Sequence, residues 1–155
     1  MDETFMQEAI ELAIENVRTG RGGPFGALVV KDGEVVARGA NLVTASNDPT
    51  AHAEVVAIRA ACRSLRSFQL DDCDLYTSCE PCPMCLGAIY WARLRRVFYG
   101  GTHEDAAAAG FDDHFIYDEL ALPPGERYIE MIPLLHDDAQ RAFDAWNKQE
   151  GRIEY

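Results

Sequence analysis

The chain lacks any apolar run near the ~20 residues needed to cross a bilayer, since even Phe25-Gly-Ala-Leu-Val-Val30 stops at Lys31. A membrane-spanning helix is excluded. It is also poor in positive charge: 14 Lys and Arg stand against 26 Asp and Glu among 155 residues, a net charge of −12. Such a field repels phosphate polyanions and anionic lipid, which argues against nucleic acid and membrane surfaces as partners. The opening residues, Met1-Asp-Glu-Thr4, lack the basic and then apolar pattern of a secretory signal, so a cytoplasmic location is expected. With 48% apolar and 26% charged residues the composition is that of a soluble globular protein. The length suits one domain burying roughly two-thirds of its unfolded surface. No repeat, linker or low-complexity stretch divides the chain, and residues 1–155 are expected to form a single domain.

Apolar positions at Phe5, Met6, Ala9, Ile10, Leu12, Ala13 and Val17 predict a helix over 3–19. Phe25 to Val30 and Glu34 to Ala40 are strand-like runs around Lys31-Asp-Gly33, a hairpin pattern. Asp48 and Thr50 are candidate caps for a helix over about 51–65. A strand over 73–78 precedes Pro81, expected to open a helix over about 81–93. Arg96 to Tyr99 predicts a further strand, Tyr128 to Ile132 another, and Asp137 to Gln149 a last helix; 102–122 is ambiguous, with an alanine-rich turn of helix and the loop Gly110-Phe-Asp-Asp113. This order fits an α/β fold in which helices pack on a mixed central sheet.

Five cysteines, three of them (Cys79, Cys82, Cys85) within seven residues, suit metal or redox chemistry better than a disulfide framework. Cys82 and Cys85 are three apart, so on a helix their sulfurs share one face and can grip one ion. His52-Ala-Glu54 opens another predicted helix and supplies a third ligand, His52. Three ligands and one open position make a catalytic zinc site, whose water is acidified toward neutrality. Glu54, two residues from His52, is off the ligand's face but can reach the fourth position as a proton shuttle. H-x-E followed by P-C-x-x-C is the signature of zinc nucleobase deaminases, with the Glu as acid and base and not a ligand. The competing arrangement is a closed structural site of His52, Cys79, Cys82 and Cys85, which leaves Glu54 without a task.

Around these residues the chain resembles the guanine deaminase branch of the cytidine deaminase superfamily. The resemblance rests on Gly22-Gly-Pro-Phe-Gly26, Asn41, Asn47-Asp-Pro-Thr-Ala-His-Ala-Glu54, the run from Thr77 to Arg93, Ala109-Gly-Phe-Asp-Asp113 and the terminal Tyr155. It implies a three-layer α-β-α cytidine-deaminase-like fold with one Zn²⁺ per subunit on His52, Cys82 and Cys85. It further implies that Glu54 shuttles protons and that Asn41, Asp113 and Tyr155 contact the purine. Phe25 would lie against the purine ring; Trp91 is a second aromatic able to offer a π-face. A homodimer is implied, with the C-terminal segment, about 137–155, exchanged so that it closes the neighbouring site.

Other uses remain for several of these residues. Phe25 could be ordinary core, Asn41 a turn cap, Asp113 a solvated loop acid and Tyr155 a frayed end. Glu80 is either a surface charge or a second proton shuttle near the leaving ammonia. The implied reaction is hydrolysis of a cyclic amidine C–N bond, guanine to xanthine and ammonia, with Glu54 moving protons from water to ring N3 and then to the amine. The zinc motif fixes the reaction type and not the base, so guanosine or another amino-purine or triazine is the alternative substrate. RNA or DNA editing has only Arg93-Leu-Arg-Arg96 in its favour, a run that equally suits a solvated helix end. A non-catalytic zinc-stabilised module is the reading from a different class.

Overall fold

The structure, a computed structural model, describes residues 3–155 and divides into two compact units, Met1–His114 and Phe115–Tyr155. The first contains α1 (Glu3–Arg18), β1 (Gly26–Lys31), β2 (Glu34–Ala40), the single turn α2 (Val43–Ser46), α3 (Ala53–Leu65), β3 (Cys73–Cys79), α4 (Pro83–Trp91), β4 (Arg96–Gly101) and α5 (His103–Ala108). Helix α6 (His114–Ala121) begins at the boundary, and the second unit continues through a 3-10 turn to α7 (His136–Lys148).

The sheet order is β2-β1-β3-β4, with β1 antiparallel to both neighbours and β3 parallel to β4. The β1–β2 hairpin turns at Asp32 and Gly33, both at positive φ, the backbone that matches strand twist in a tight turn. Strand alternation then sorts the side chains. Ala27 and Val29 of β1 and Cys73 and Leu75 of β3 face Ala53, Ala57, Ile58 and Ala61 of α3 and Ile89 of α4. Leu28, Val30 and Tyr76 face the other way, against Ala9 and the flanking Phe5, Met6 and Leu12 of α1. The sheet is thus sandwiched between α1 and the α3/α4 pair, the three-layer architecture expected. Full burial of Leu28, Leu70 and Leu75 contributes about 1.5–3 kcal/mol each before entropy is counted.

Helix α3 reaches the sheet closely because both surfaces are small. Its alanines Ala53, Ala57 and Ala61 are fully buried, and opposite them stands Gly39 of β2. A Cβ on Gly39 would lie 2.2 Å from Ala53 O and 2.6 Å from Ala57 N. This contact fixes the N-terminus of α3 against the sheet.

Three sequence expectations are corrected. Neither Asp48 nor Thr50 caps α3: His52 takes that position, while Asp48 Oδ1 accepts from Thr50 N–H at 2.9 Å and Thr50 Oγ1 at 2.6 Å in a local turn. Pro83, not Pro81, opens α4, because Cys82 is the cap and the first helical residue follows it. Tyr128 to Ile132 is not a strand: its apolar alternation finds no sheet edge, and the Tyr128 N–H is bound by Glu119 Oε2 at 2.7 Å instead. The ambiguous stretch contains α5, with Thr102 and Asp105 forming a reciprocal capping box, and α6. No helix among the described residues is long and apolar enough to cross a membrane.

Gly39→Ala should therefore destabilise the fold by about 1–3 kcal/mol, the usual cost of overpacking. Urea unfolding measures this, and zinc content should fall with it because α3 carries His52.

Candidate active site

Helices α3 and α4 deliver their first residues to one place. His52 caps α3 in extended backbone and Cys82 does the same for α4, one turn before Cys85. His52 Nδ1 lies 3.5 Å from Cys82 Sγ and 3.6 Å from Cys85 Sγ. Zinc bonds of about 2.05 Å to nitrogen and 2.3 Å to sulfur at tetrahedral angles require a nitrogen–sulfur separation of about 3.6 Å. The three side chains thus have the spacing of three corners of a zinc tetrahedron, and their ligand atoms all lie within 4.8 Å of one another.

The electrostatics suit a cation. Cys82 Sγ accepts the Cys85 N–H at 3.5 Å at the helix start, where unpaired N–H groups favour a thiolate. Its thiol is pulled down to about 4, chiefly by hydrogen bonding with Cys85 and further by His52, against burial. The same hydrogen bond with Cys82, together with burial, pushes the Cys85 thiol up. His52 is raised above its ordinary value, first by its hydrogen bond to Cys82.

Glu54 is only 5% exposed. Its Oε1 accepts from Thr77 Oγ1 at 3.3 Å and its Oε2 from Cys85 Sγ at 3.4 Å, which puts the carboxylate beside the cluster but outside the ligand set. Burial raises its proton affinity above that of an ordinary glutamate. Thr77 was not singled out from sequence, although a hydroxyl in register with Cys73 and Leu75 on the core face of β3 was the available signal.

Cys79 stands apart from the ligand group. Its Sγ donates to Thr102 O at 3.5 Å, and burial pushes its thiol up to about 11, which keeps it protonated. Among the described residues the ligand atoms that gather are those of His52, Cys82 and Cys85, without Cys79. Glu80 is tied down: its N–H donates to Gly101 O at 2.8 Å, and its Oε2 accepts from the His103 N–H at 3.2 Å and lies 2.8 Å from His103 Nδ1. These bonds anchor the loop that carries Cys82 to the start of α5.

The remaining candidates divide. Asp113, half-buried, is raised first by burial and then by the charge of Cys82, so it lies within electrostatic reach of the cluster. Phe25 packs partly on the core and meets Phe111 edge to face at 5.0 Å, bracing the Gly110-Phe-Asp-Asp113 loop. Asn41 follows β2, 8% exposed, and its neighbour Leu42 donates to Ala51 O at 2.9 Å, next to His52. Trp91 is not brought to the cluster of its own chain: it ends the helix that Cys82 begins, about 13 Å further along at ~1.5 Å per residue, and is 68% exposed. Tyr155 ends the second unit, 71% exposed.

Comparison with known proteins agrees with this geometry. Residues 1–101 match the family model for the cytidine and deoxycytidylate deaminase zinc-binding region. The chain is 58% identical to the guanine deaminase of Bacillus subtilis over 153 residues, 99% of this chain and 98% of that protein. An X-ray structure of guanine deaminase from the same organism superposes with a TM-score of 0.97, covering 100% of this chain and 99% of that one. The tRNA-specific adenosine deaminase of Agrobacterium fabrum is 51% identical over 85 residues, 55% of this chain and 56% of that protein.

Cys85→Ala should abolish zinc binding and Cys79→Ser should preserve it, as measured by elemental analysis of the purified proteins. Retention by the first or loss by the second would contradict the ligand set. A domain of this fold, with three zinc-spaced ligands and a buried carboxylate beside them, belongs to the cytidine and deoxycytidylate deaminase family.

Proposed function

We infer that this chain catalyses the hydrolytic deamination of guanine to xanthine and ammonia. The observation that carries this reading is the extent of the likeness. The 58% identity to a guanine deaminase spans 99% of the chain, the C-terminal unit included, whereas likeness to tRNA-specific adenosine deaminases covers 55–76% of it.

Zinc held by His52, Cys82 and Cys85 supplies a water acidified toward neutrality and a positive charge beside the reacting carbon. The protein's own groups do the rest. Glu54 takes a proton from the water as oxygen adds to C2 and delivers it to ring N3; it then carries the proton of the added hydroxyl to the exocyclic amine, and the C2–N bond breaks as C2=O forms and ammonia leaves. Raised proton affinity suits a group that must both accept and give, and the Thr77 hydroxyl keeps its carboxylate oriented. Asp113 accepts from the purine N–H groups, Asn41 offers its side-chain amide, and Phe25 lies against the ring. A site built to match such polar groups rejects a base lacking them far better than an apolar pocket could. Glu80, with its carboxylate engaged by His103, serves as an anchor of the Cys82 loop in this scheme and not as a second shuttle.

The same reading makes the working unit a homodimer. The second unit exposes Tyr128, Ile132, Leu134, Phe143 and Tyr155, more apolar surface than a 41-residue segment leaves in water without a partner. The segment from about 137 to 155 would cover the neighbouring subunit's site, placing Tyr155 on the substrate, and Trp91 would face the partner. All five cysteines are free thiols, which suits a reducing cytoplasm.

Ammonia release from guanine, guanosine, adenine, cytosine and cytidine tests the function. Release from guanine is expected. Turnover of guanosine in its place would correct the substrate, and silence from a zinc-loaded preparation would overturn the enzyme reading. Glu54→Gln should keep zinc and lose about 10²–10⁴ in kcat, the range for a general acid and base. Deleting the last three residues should leave the melting temperature and zinc intact while strongly slowing turnover, which steady-state kinetics would measure.

A further inference from the structure

Helix α1 buries Ala9, Ala13 and Asn16 along one stripe, and the last of these is an amide where the pattern calls for an apolar side chain. Asn16 is 2% exposed. Its Nδ2 uses both hydrogens, donating to Gly23 O at 2.9 Å and to Asn41 O at 2.8 Å. Its Oδ1 is buried with no partner among the described residues. An acceptor left unpaired in the interior is a liability that a leucine would avoid, so what the position gains from asparagine is the pair of donors.

Those donors join two segments far apart in sequence. Gly23 is two residues before Phe25, and Asn41 follows β2; the Asn41 N–H in turn donates to Phe25 O at 3.1 Å. Gly22 completes the junction, since a Cβ there would lie 2.2 Å from Asn41 O and 3.0 Å from Asn16 Nδ2. Asn41 is therefore held at its backbone oxygen by Asn16 and at its N–H by Phe25. Its side-chain Oδ1 accepts from the Val43 N–H at 3.3 Å, and its Nδ2 donates to no described residue, which leaves that amide for a ligand.

We propose that Asn16 is a positioning residue for purine binding: from inside the core it sets where Asn41 and Phe25 stand. This rests on the reading of Asn41 and Phe25 as purine contacts. Asn16 touches neither the substrate nor the zinc ligands, and its effect passes through the two residues it fixes. A displacement of a fraction of an ångström at Asn41 would weaken the grip on the base while leaving Glu54 and the metal in place.

The test is a double-mutant cycle with Asn16→Leu, Asn41→Ala and the pair, measuring kcat, KM and zinc content. Asn16→Leu should raise KM by about tenfold or more with kcat within about threefold of wild type and zinc unchanged. In the Asn41→Ala background the same substitution should change KM by clearly less than it does in the wild type, because the part of its effect that runs through the Asn41 side chain is already lost. Should Asn16→Leu fail to fold, Gly22→Ala puts a methyl group against the same Asn41 backbone oxygen and should give the same pattern. An unchanged KM, loss of zinc, or a full effect persisting without the Asn41 side chain would overturn the proposal. Wild-type turnover of guanine, measured alongside, tests the function separately; the variant ratios are taken on whichever base of the panel the wild type deaminates.

Discussion

The site depends on two helix starts meeting at one place. Helix N-termini ordinarily satisfy their free N–H groups with Ser, Thr, Asp or Asn, and losing such a cap costs about 1 kcal/mol. Here the cap of α3 is His52, which makes no capping bond, and the cap of α4 is Cys82, whose sulfur is a weak acceptor at 3.5 Å. Both positions trade helix stability for metal ligands. The close packing of Gly39 against Ala53 and Ala57 makes the trade workable, because it holds α3 in place without help from its cap. Bound zinc then returns stability, since it binds the folded arrangement and not the open chain.

The same geometry gives Glu54 its character. A carboxylate buried to this extent is costly unless its oxygens are occupied, and here Thr77 and Cys85 each give one hydrogen bond. Burial also raises its proton affinity, so the environment that makes Glu54 expensive makes it readier to take up a proton than an exposed glutamate. The neighbouring thiols are sorted by contact: Cys82 is held as thiolate at a helix start, while Cys79 is buried, hydrogen-bonded to a carbonyl and kept protonated. Three cysteines at equal sequence spacing thus acquire different chemistry from their places in the fold.

Around this centre lies a frame of small residues and backbone hydrogen bonds. Gly22 and Gly39 permit contacts that no side chain would allow, one beneath Asn41 and one beneath α3. Glu80 and His103 link the Cys82 loop to α5, and Phe111 against Phe25 links the Asp113 loop to β1.

Local order was legible because periodicity and spacing are local properties. Helix α1, the β1–β2 hairpin, α3, β3, α4 and β4 are legible in apolar patterns and turn residues, and the C-x-x-C spacing with H-x-E singles out His52, Cys82, Cys85 and Glu54, which the fold brings together. Tyr128 to Ile132 misled because alternation describes a strand but cannot supply its partner. Cys79 looked equivalent to Cys82 because spacing does not say which sulfur turns inward once a helix begins at Pro83. Asn16 and Thr77 went unnoticed because a polar residue in a core stripe acquires meaning only from the segment packed on it. The sequence by itself determined the elements as far as β4, the ligand types and the reaction class. Only the tertiary structure decided which thiols meet His52 and that Asn16 holds the Asn41 oxygen, because those contacts join residues 25 to 33 positions apart and depend on how closely the helices approach the sheet.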